Sequence, residues 1–171
     1  MTDDTPWLSG DEIVAWVHLT AMMMSLPPAI DAQLKRDAGI NFFEYTILTG
    51  LSQAPGRALQ LTTLAGYASG SLSRLSHALT RLERQGWVTR RTCTREARAS
   101  EAVLTDAGMA KLVATAPGHV REVRRLVIDV LTPDELTQLR AIARRLVDTA
   151  SPRTAAILDD ALGRLPEREP H

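Results

Sequence analysis

Between Leu61 and Leu104 the chain reads LTTLAGYASGSLSRLSHALTRLERQGWVTRRTCTREARASEAVL, and this stretch limits the possible folds more than any other. Its pattern predicts a short helix, a tight turn, a second helix, and two strands joined by an arginine-carrying loop. In the second helix Leu72, Leu75, Ala78, Leu79 and Leu82 recur at helical spacing and define one buried stripe. Arg74, His77 and Arg81 are spaced three and four apart, so they fall on a face roughly opposite that stripe. Ser71, Ser73 and Ser76 stand toward its N-terminal end, where unpaired backbone N–H groups and the positive end of the helix dipole gather. A helix anchored on one side and presenting serines, a histidine and arginines on the other is what a DNA major groove admits.

Gly86 is placed to close that helix in the left-handed conformation. Trp87–Arg91 and Ser100–Thr105 have strand composition, and the loop from Thr92 to Ala99 carries Arg95 and Arg98. Such a loop can follow the phosphate backbone or enter the adjacent minor groove. From Ser71 to Ser100 seven arginines face only two acids, Glu83 and Glu96, in a chain whose formal net charge is zero. Positive charge has been collected on this stretch. Arginines on a solvated helix and hairpin are the plain alternative, but here charge, turn and hairpin coincide.

These residues resemble the multiple-antibiotic-resistance regulator (MarR) family of bacterial winged-helix transcription factors. The likeness rests on Leu82-Glu83-Arg84-Gln85-Gly86-Trp87-Val88, on Arg91 with Glu96 and Arg98, and on Val103-Leu104-Thr105-Asp106-Ala107-Gly108. They correspond to the end of the family's recognition helix, its wing with an acid-x-arginine pair, and the start of the next helix. The resemblance extends from about Ser9 to Val147. It implies that Arg98 is the wing's DNA contact, with Arg95 its companion, in the minor groove or on its flanking phosphates. It also implies a homodimer and, in many members, a small phenolic or lipophilic effector held between helical bundle and winged helix. Two departures stand out: Glu96 replaces the family's usual aspartate, and His77 stands where many members have arginine, which makes that contact weaker or pH-dependent. Arg74 and His77 are the candidates for base edges, and Ser71, Ser73 and Ser76 for phosphates or bases. Arg81 and Arg84 are each either a further contact or a solvated charge. Arg91, at the wing base, either joins the contacts or holds the hairpin through a salt bridge, with Glu96 a candidate partner.

The rest of the chain reads as helices on either side of this head. Ser9-Gly10-Asp11-Glu12 has capping-box spacing, followed by Ile13, Trp16, Val17, Thr20, Met23 and Met24 on one face. Pro27-Pro28 predicts a kink or break after about Leu26, with a fresh segment from Pro28 until Gly39. Asn41 caps a helix carrying Phe42, Tyr45, Leu48 and Leu51; the family resemblance implies a short strand at Leu59–Leu61 pairing with the wing, and a cap at Thr62. Thr105-Asp106 starts another helix, Pro117-Gly118 interrupts it, and Thr132-Pro133-Asp134-Glu135 is the strongest helix start of all. Pro152 stops that last helix, a short extra helix follows to about Leu165, and the final residues fray.

The fold class is therefore mainly α with a small β-wing: a winged helix-turn-helix plus N- and C-terminal dimerisation helices. Residues 1–38 form the N-terminal dimerisation helix, kinked at 27–28; 39–105 the DNA-binding domain; 106–151 the C-terminal dimerisation helices; 152–171 an extension. The two apolar stripes at the chain's ends either pack on each other within one subunit or interlock with a second copy. Two copies are favoured, since one recognition helix reads only about half a turn, and a two-fold pair reads half-sites ~34 Å apart.

Other chemistries find less support. No stretch reaches the ~18–20 uninterrupted apolar residues of a membrane span. Met1–Pro6 is acidic and polar, unlike a signal peptide, and the single cysteine, Cys93, suits a reducing compartment, so a cytoplasmic location is expected. Cys93 beside arginines is a weak candidate for an oxidant sensor. His18, His77, His119 and His171 show no ligand spacing, so neither metal nor cofactor is expected, and no nucleophile–base constellation suggests an enzyme. Trp16, Met22, Met23 and Tyr45, with Met24, either line an effector cleft or belong to the dimer core. The reading is a sequence-specific double-stranded-DNA-binding regulator, a ligand-responsive repressor acting as a homodimer on a palindromic operator. The alternative is a winged helix that turns the same basic face to an acidic protein partner.

Overall fold

The structure, a computed structural model, describes residues 5–92 and 100–163. Helix α1 spans Gly10–Ala38 and α2 Phe42–Gln53; a 3-10 turn, Pro55–Arg57, leads into strand β1, Ala58–Gln60. Helices α3 (Leu61–Tyr67) and α4 (Leu72–Arg84) follow, then strands β2 (Val88–Thr92) and β3 (Ser100–Leu104). Helix α5 (Asp106–Val123) runs on into a wider π turn, Arg124–Ile128, before α6 (Pro133–Ala150) and α7 (Pro152–Leu162). The three strands form one antiparallel sheet in the order β1-β3-β2. Mainly helical with a small β-wing, this is a winged helix-turn-helix between flanking helices.

Local chemistry sets most of the boundaries. Ser9, Asn41 and Thr132 each accept from the backbone N–H three residues on, and the glutamates Glu12, Glu44 and Glu135 return the bond to the cap. Thr105 caps α5 by accepting from Gly108. Gly86 takes φ 72°, which lets β2 begin only three residues after α4 ends.

Four local expectations are corrected. Helix α1 continues through Pro27 and Pro28 without a break. The carbonyls that lose their partners belong to Met23 and Met24, both exposed, so water can satisfy them, while Ile30 and Leu34 beyond the prolines are fixed in the core. For the same reason α5 passes through Pro117, whose missing bond frees the carbonyl of exposed Val113. Helix α3 starts at Leu61 with Gln60 at its cap, so Thr62 lies inside the helix; its carbonyl accepts from Arg153 Nη2 at 3.1 Å. Leu72, expected in the buried stripe, is 53% exposed, because the core is closed one turn later by Leu75 and Leu79.

The core gathers Leu34 and Ile40, Ile47, Leu48 and Leu51 of α2, Leu64 of α3, Leu75, Leu79 and Leu82 of α4, and Val88 of β2. It therefore lies in the winged helix and the last third of α1. In the remainder of α1 no residue is fully buried, though Leu26 packs partly against the core: Ile13, Val14, Trp16, Val17, Met22, Met23 and Met24 are exposed, as are Val113, Val120, Ile142 and Leu146. Helix α1 packs on α5, yet intrachain packing leaves both apolar stripes open. By length and composition α1 also qualifies to cross a membrane. His18, Thr20 and Ser25 interrupt it, and its end is locked in the core. Helix α7 returns to the head: Ala155 and Ala161 are buried, Ile157 covers Gly66, and Arg144 of α6 pairs with Asp148 and with Asp159 of α7.

Two stability predictions follow from the packing. A Cβ on Gly108 would sit 2.1 Å from the Trp87 carbonyl oxygen, whereas one on Gly10 would meet open space. Gly108→Ala is expected to cost about 3 kcal/mol in urea denaturation and Gly10→Ala under ~0.5 kcal/mol. The second concerns His119, whose ring lies 4.3 Å from that of Tyr45, with Nδ1 buried and lacking a partner among the described residues. Burial holds its pKa below the ordinary value of about 6.5, so the unfolded chain binds the proton more readily. Stability should be complete above pH ~6.5 and fall as pH drops through that value toward the folded-state pKa. His119→Phe should flatten this slope in denaturation midpoints between pH 7 and pH 5.

Candidate nucleic-acid interface

Residues 39–105 hold eight arginines against four glutamates, with no lysine or aspartate and a single histidine, His77. Each glutamate among the described residues of this stretch is bound to an arginine. Glu44 takes Arg81 Nε at 2.6 Å, Glu83 takes Arg90 Nη2 at 2.5 Å, and Glu101 takes Arg91 Nε at 3.1 Å. These three acids are thus neutralised within the head, and the exposed face of α4 offers hydroxyl, imidazole and guanidinium groups beside Leu72.

Helix α4 carries that outward face. Ser71 caps it, its Oγ accepting from Arg74 N at 3.1 Å, which still leaves the hydroxyl hydrogen free to donate. Opposite the buried Leu75, Ala78, Leu79 and Leu82 runs a stripe at spacings of four, three and four: Ser73, His77, Thr80 and Arg84, with Ser76 beside it. Ser73, Ser76, His77 and Arg84 are exposed. Thr80 donates to the Ser76 carbonyl and accepts from Arg90, so its hydroxyl serves the helix and wing.

Arg74 and Arg81 lie further round, toward α2. The Arg74 guanidinium sits 4.2 Å from the centre of the Phe43 ring, and Arg81 is held by Glu44. Of the three residues placed by spacing on one reading face, His77 is central and the two arginines are engaged at its flank. Arg91 does make a salt bridge at the wing base. Its partner among the described residues is Glu101, which stands directly opposite Arg91 in the β2–β3 register. Glu96, Cys93, Arg95 and Arg98 lie outside the described residues. Arg84, a candidate contact or solvated charge by sequence, stands exposed at the far end of the stripe that starts at Ser73.

The residues proposed for an effector do not converge. Trp16, Met22 and Met23 are exposed along α1, while Tyr45 is buried against His119. A cleft of about 660 Å³ opens instead between α1, α2 and the start of α4, lined by Pro28, Asp31, Lys35, Phe42, Phe43 and Arg74. A second, of about 560 Å³, lies across the α1–α2 junction against Arg81, Arg84 and Trp87. Among the described residues no cluster of His, Cys, Asp or Glu is suited to a metal ion.

Neither a family model nor a curated protein matches the chain. Solved structures do. A MarR family transcriptional regulator from Streptomyces coelicolor, crystallised with DNA, is 41% identical, with a TM-score of 0.83, covering 88% of this chain and 94% of that one. AbsC, a MarR family transcriptional regulator from the same organism, is 36% identical, with a TM-score of 0.75 and coverage of 83% and 98%. PcaV from Streptomyces coelicolor, in complex with its natural ligand, shares the fold at 21% identity, with a TM-score of 0.67 and coverage of 78% and 94%. With the head built as a winged helix and two such relatives matched nearly end to end, the chain belongs to the MarR family of transcriptional regulators.

Proposed function

We propose that the protein is a homodimeric, cytoplasmic repressor that binds a palindromic operator and is released from it by a small phenolic or lipophilic effector. The observation that carries the DNA-binding part is the outward face of α4, free of acids because Glu44, Glu83 and Glu101 are each held by an arginine. Phosphate oxygens meet no uncompensated carboxylate there. His77 and Ser73 address base edges, and Ser71, Ser76 and Arg84 address bases or the flanking backbone. Arg98 and Arg95 extend the contact from the wing, while Arg81 and Arg91 hold the head in shape. The DNA complex of the 41%-identical regulator supports this reading.

The dimer rests on the exposed stripe of α1 and its counterpart on α5 and α6. An exposed apolar surface of this kind on a soluble chain marks an interface. A second copy covers Trp16, Val17, Met22 and Met23 and sets two recognition helices about one turn of DNA apart. The effector is proposed to enter the cleft walled by Phe42 and Phe43, where Lys35 and Arg74 can attract an acidic or phenolic group. PcaV and a 2,4-dichlorophenol-bound regulator of the same fold support ligand control.

The first test is selection of binders from a random duplex pool, followed by fluorescence anisotropy on the selected duplex. A preference of at least ~10³-fold over random duplex is expected; uniform weak binding would favour an acidic protein partner instead. On the selected duplex Arg98→Ala should lose at least about tenfold without change in melting temperature, and unchanged affinity would remove the wing from the mechanism. His77→Ala should cost about 1–3 kcal/mol on the selected duplex and little on random DNA. In sedimentation equilibrium Val17→Asp should convert a dimer to a folded monomer, with operator affinity falling at least about a hundredfold. A wild type that sediments as a monomer would overturn the dimer.

A further inference from the structure

We propose that Leu72 reads the 5-methyl group of a thymine in each operator half-site, an inference that rests on the DNA-binding function proposed above. Among the described residues, the other large apolar side chains that are well exposed lie on α1, α5 to α7 and the segments flanking them. Leu72 alone stands on the winged helix, at the first position of α4 and 53% exposed. The core does not need it, since Leu75 and Leu79 one and two turns on are 1% and 0% exposed. Nor does it join the bundle stripes that a second copy would cover.

Its neighbours fix what it can meet. Ser71, Ser73 and Ser76 surround it on the first turn, all exposed, and helix-turn-helix proteins bring this end of the recognition helix to the base edges. A leucine there makes no hydrogen bond. Of the four bases seen from the major groove, only thymine offers an apolar group, its C5 methyl. Cytosine at the same place has only C5–H where thymine carries the methyl, so the leucine loses its apolar partner there. Leu72 therefore discriminates by shape and apolar contact within a face otherwise built from hydroxyls and an imidazole.

The test replaces each thymine of the selected duplex, one at a time, by deoxyuridine, which removes the methyl group and nothing else. Wild type should lose about 3- to 10-fold in anisotropy titrations at one thymine position per half-site, near the value of one buried methylene. Leu72→Ala, unaltered in circular dichroism and in sedimentation, should bind the thymine and uracil duplexes equally and match wild type on uracil. Wild-type insensitivity at every thymine overturns the inference while leaving specific binding intact. An equal loss by both proteins also overturns it, because another side chain then reads the methyl. If selection yields no preferred duplex, base reading itself fails, and the inference falls with it.

Discussion

The carboxylate of Glu44 joins two jobs that the head cannot do without. One oxygen accepts from Asn41 N at 3.0 Å and completes the cap of α2; the other takes Arg81 Nε of α4 at 2.6 Å. Its side chain is 9% exposed, and a charge so deep is tolerated only when paired and hydrogen-bonded. Removing one partner of a buried pair costs ~3–5 kcal/mol; Arg81 is more than half exposed, so water reduces that figure here. The consequence is geometrical. The start of α2 and the last turns of α4 are tied at one point, and Arg74 stacked on Phe43 gives a second tie near the first turn. Fixed at both ends to α2, the recognition helix presents one face and not a range of them.

That rigidity contrasts with the helices on either side. Helix α6 buries no residue within the chain, and α1 buries none before Ile30. The fold is consistent only if the apolar stripe of α1 is covered, because leaving Trp16, Val17 and the methionines in water forfeits the burial that stabilises helices of this length. A second copy is the proposed cover. The end of α1 belongs to the core of the head while its beginning belongs to the proposed interface, so in the proposed dimer this one helix would join each head to the other.

Much of this architecture is legible in the sequence because it is locally determined. Capping boxes at Ser9, Asn41 and Thr132 are satisfied by residues three positions away, and Gly86 needs only its own backbone freedom. The two wing strands announce themselves through composition. What the sequence conceals depends on partners far along the chain. Periodicity places Leu72 with Leu75 and Leu79, and only the tertiary closure of the core shows that it is superfluous there. Spacing groups Arg74, His77 and Arg81, yet α2 claims both arginines, through a ring and a carboxylate more than thirty residues away. Pro27 and Pro28 predict a break by local rules, and it is averted by burial beyond them and solvent around Met23 and Met24. Candidate contacts were readable as a helix face; which of them are free to make contacts was not.

Ligand control, as proposed, requires that an effector bind two arrangements of the heads unequally, since a ligand indifferent to the arrangement shifts nothing. The cleft beside Phe43 meets that requirement by its position. Its walls come from the end of α1, from α2, and from Ala68, Ser69 and Arg74 around the start of α4, so a ligand seated there would touch both the helix that leads to the proposed interface and the first turn of α4. An aromatic acid seated there would compete for the Arg74 guanidinium with the Phe43 ring, loosening the tie at the first turn of α4 while the Glu44–Arg81 tie at its far end holds. The first turn carries Ser71, Leu72 and Ser73. A pivot about the Glu44 end would therefore displace the residues proposed to read bases more than those that merely hold the helix. A coupling free energy of only ~1–3 kcal/mol, 5- to 150-fold in affinity, is what such a pivot needs to deliver for regulation.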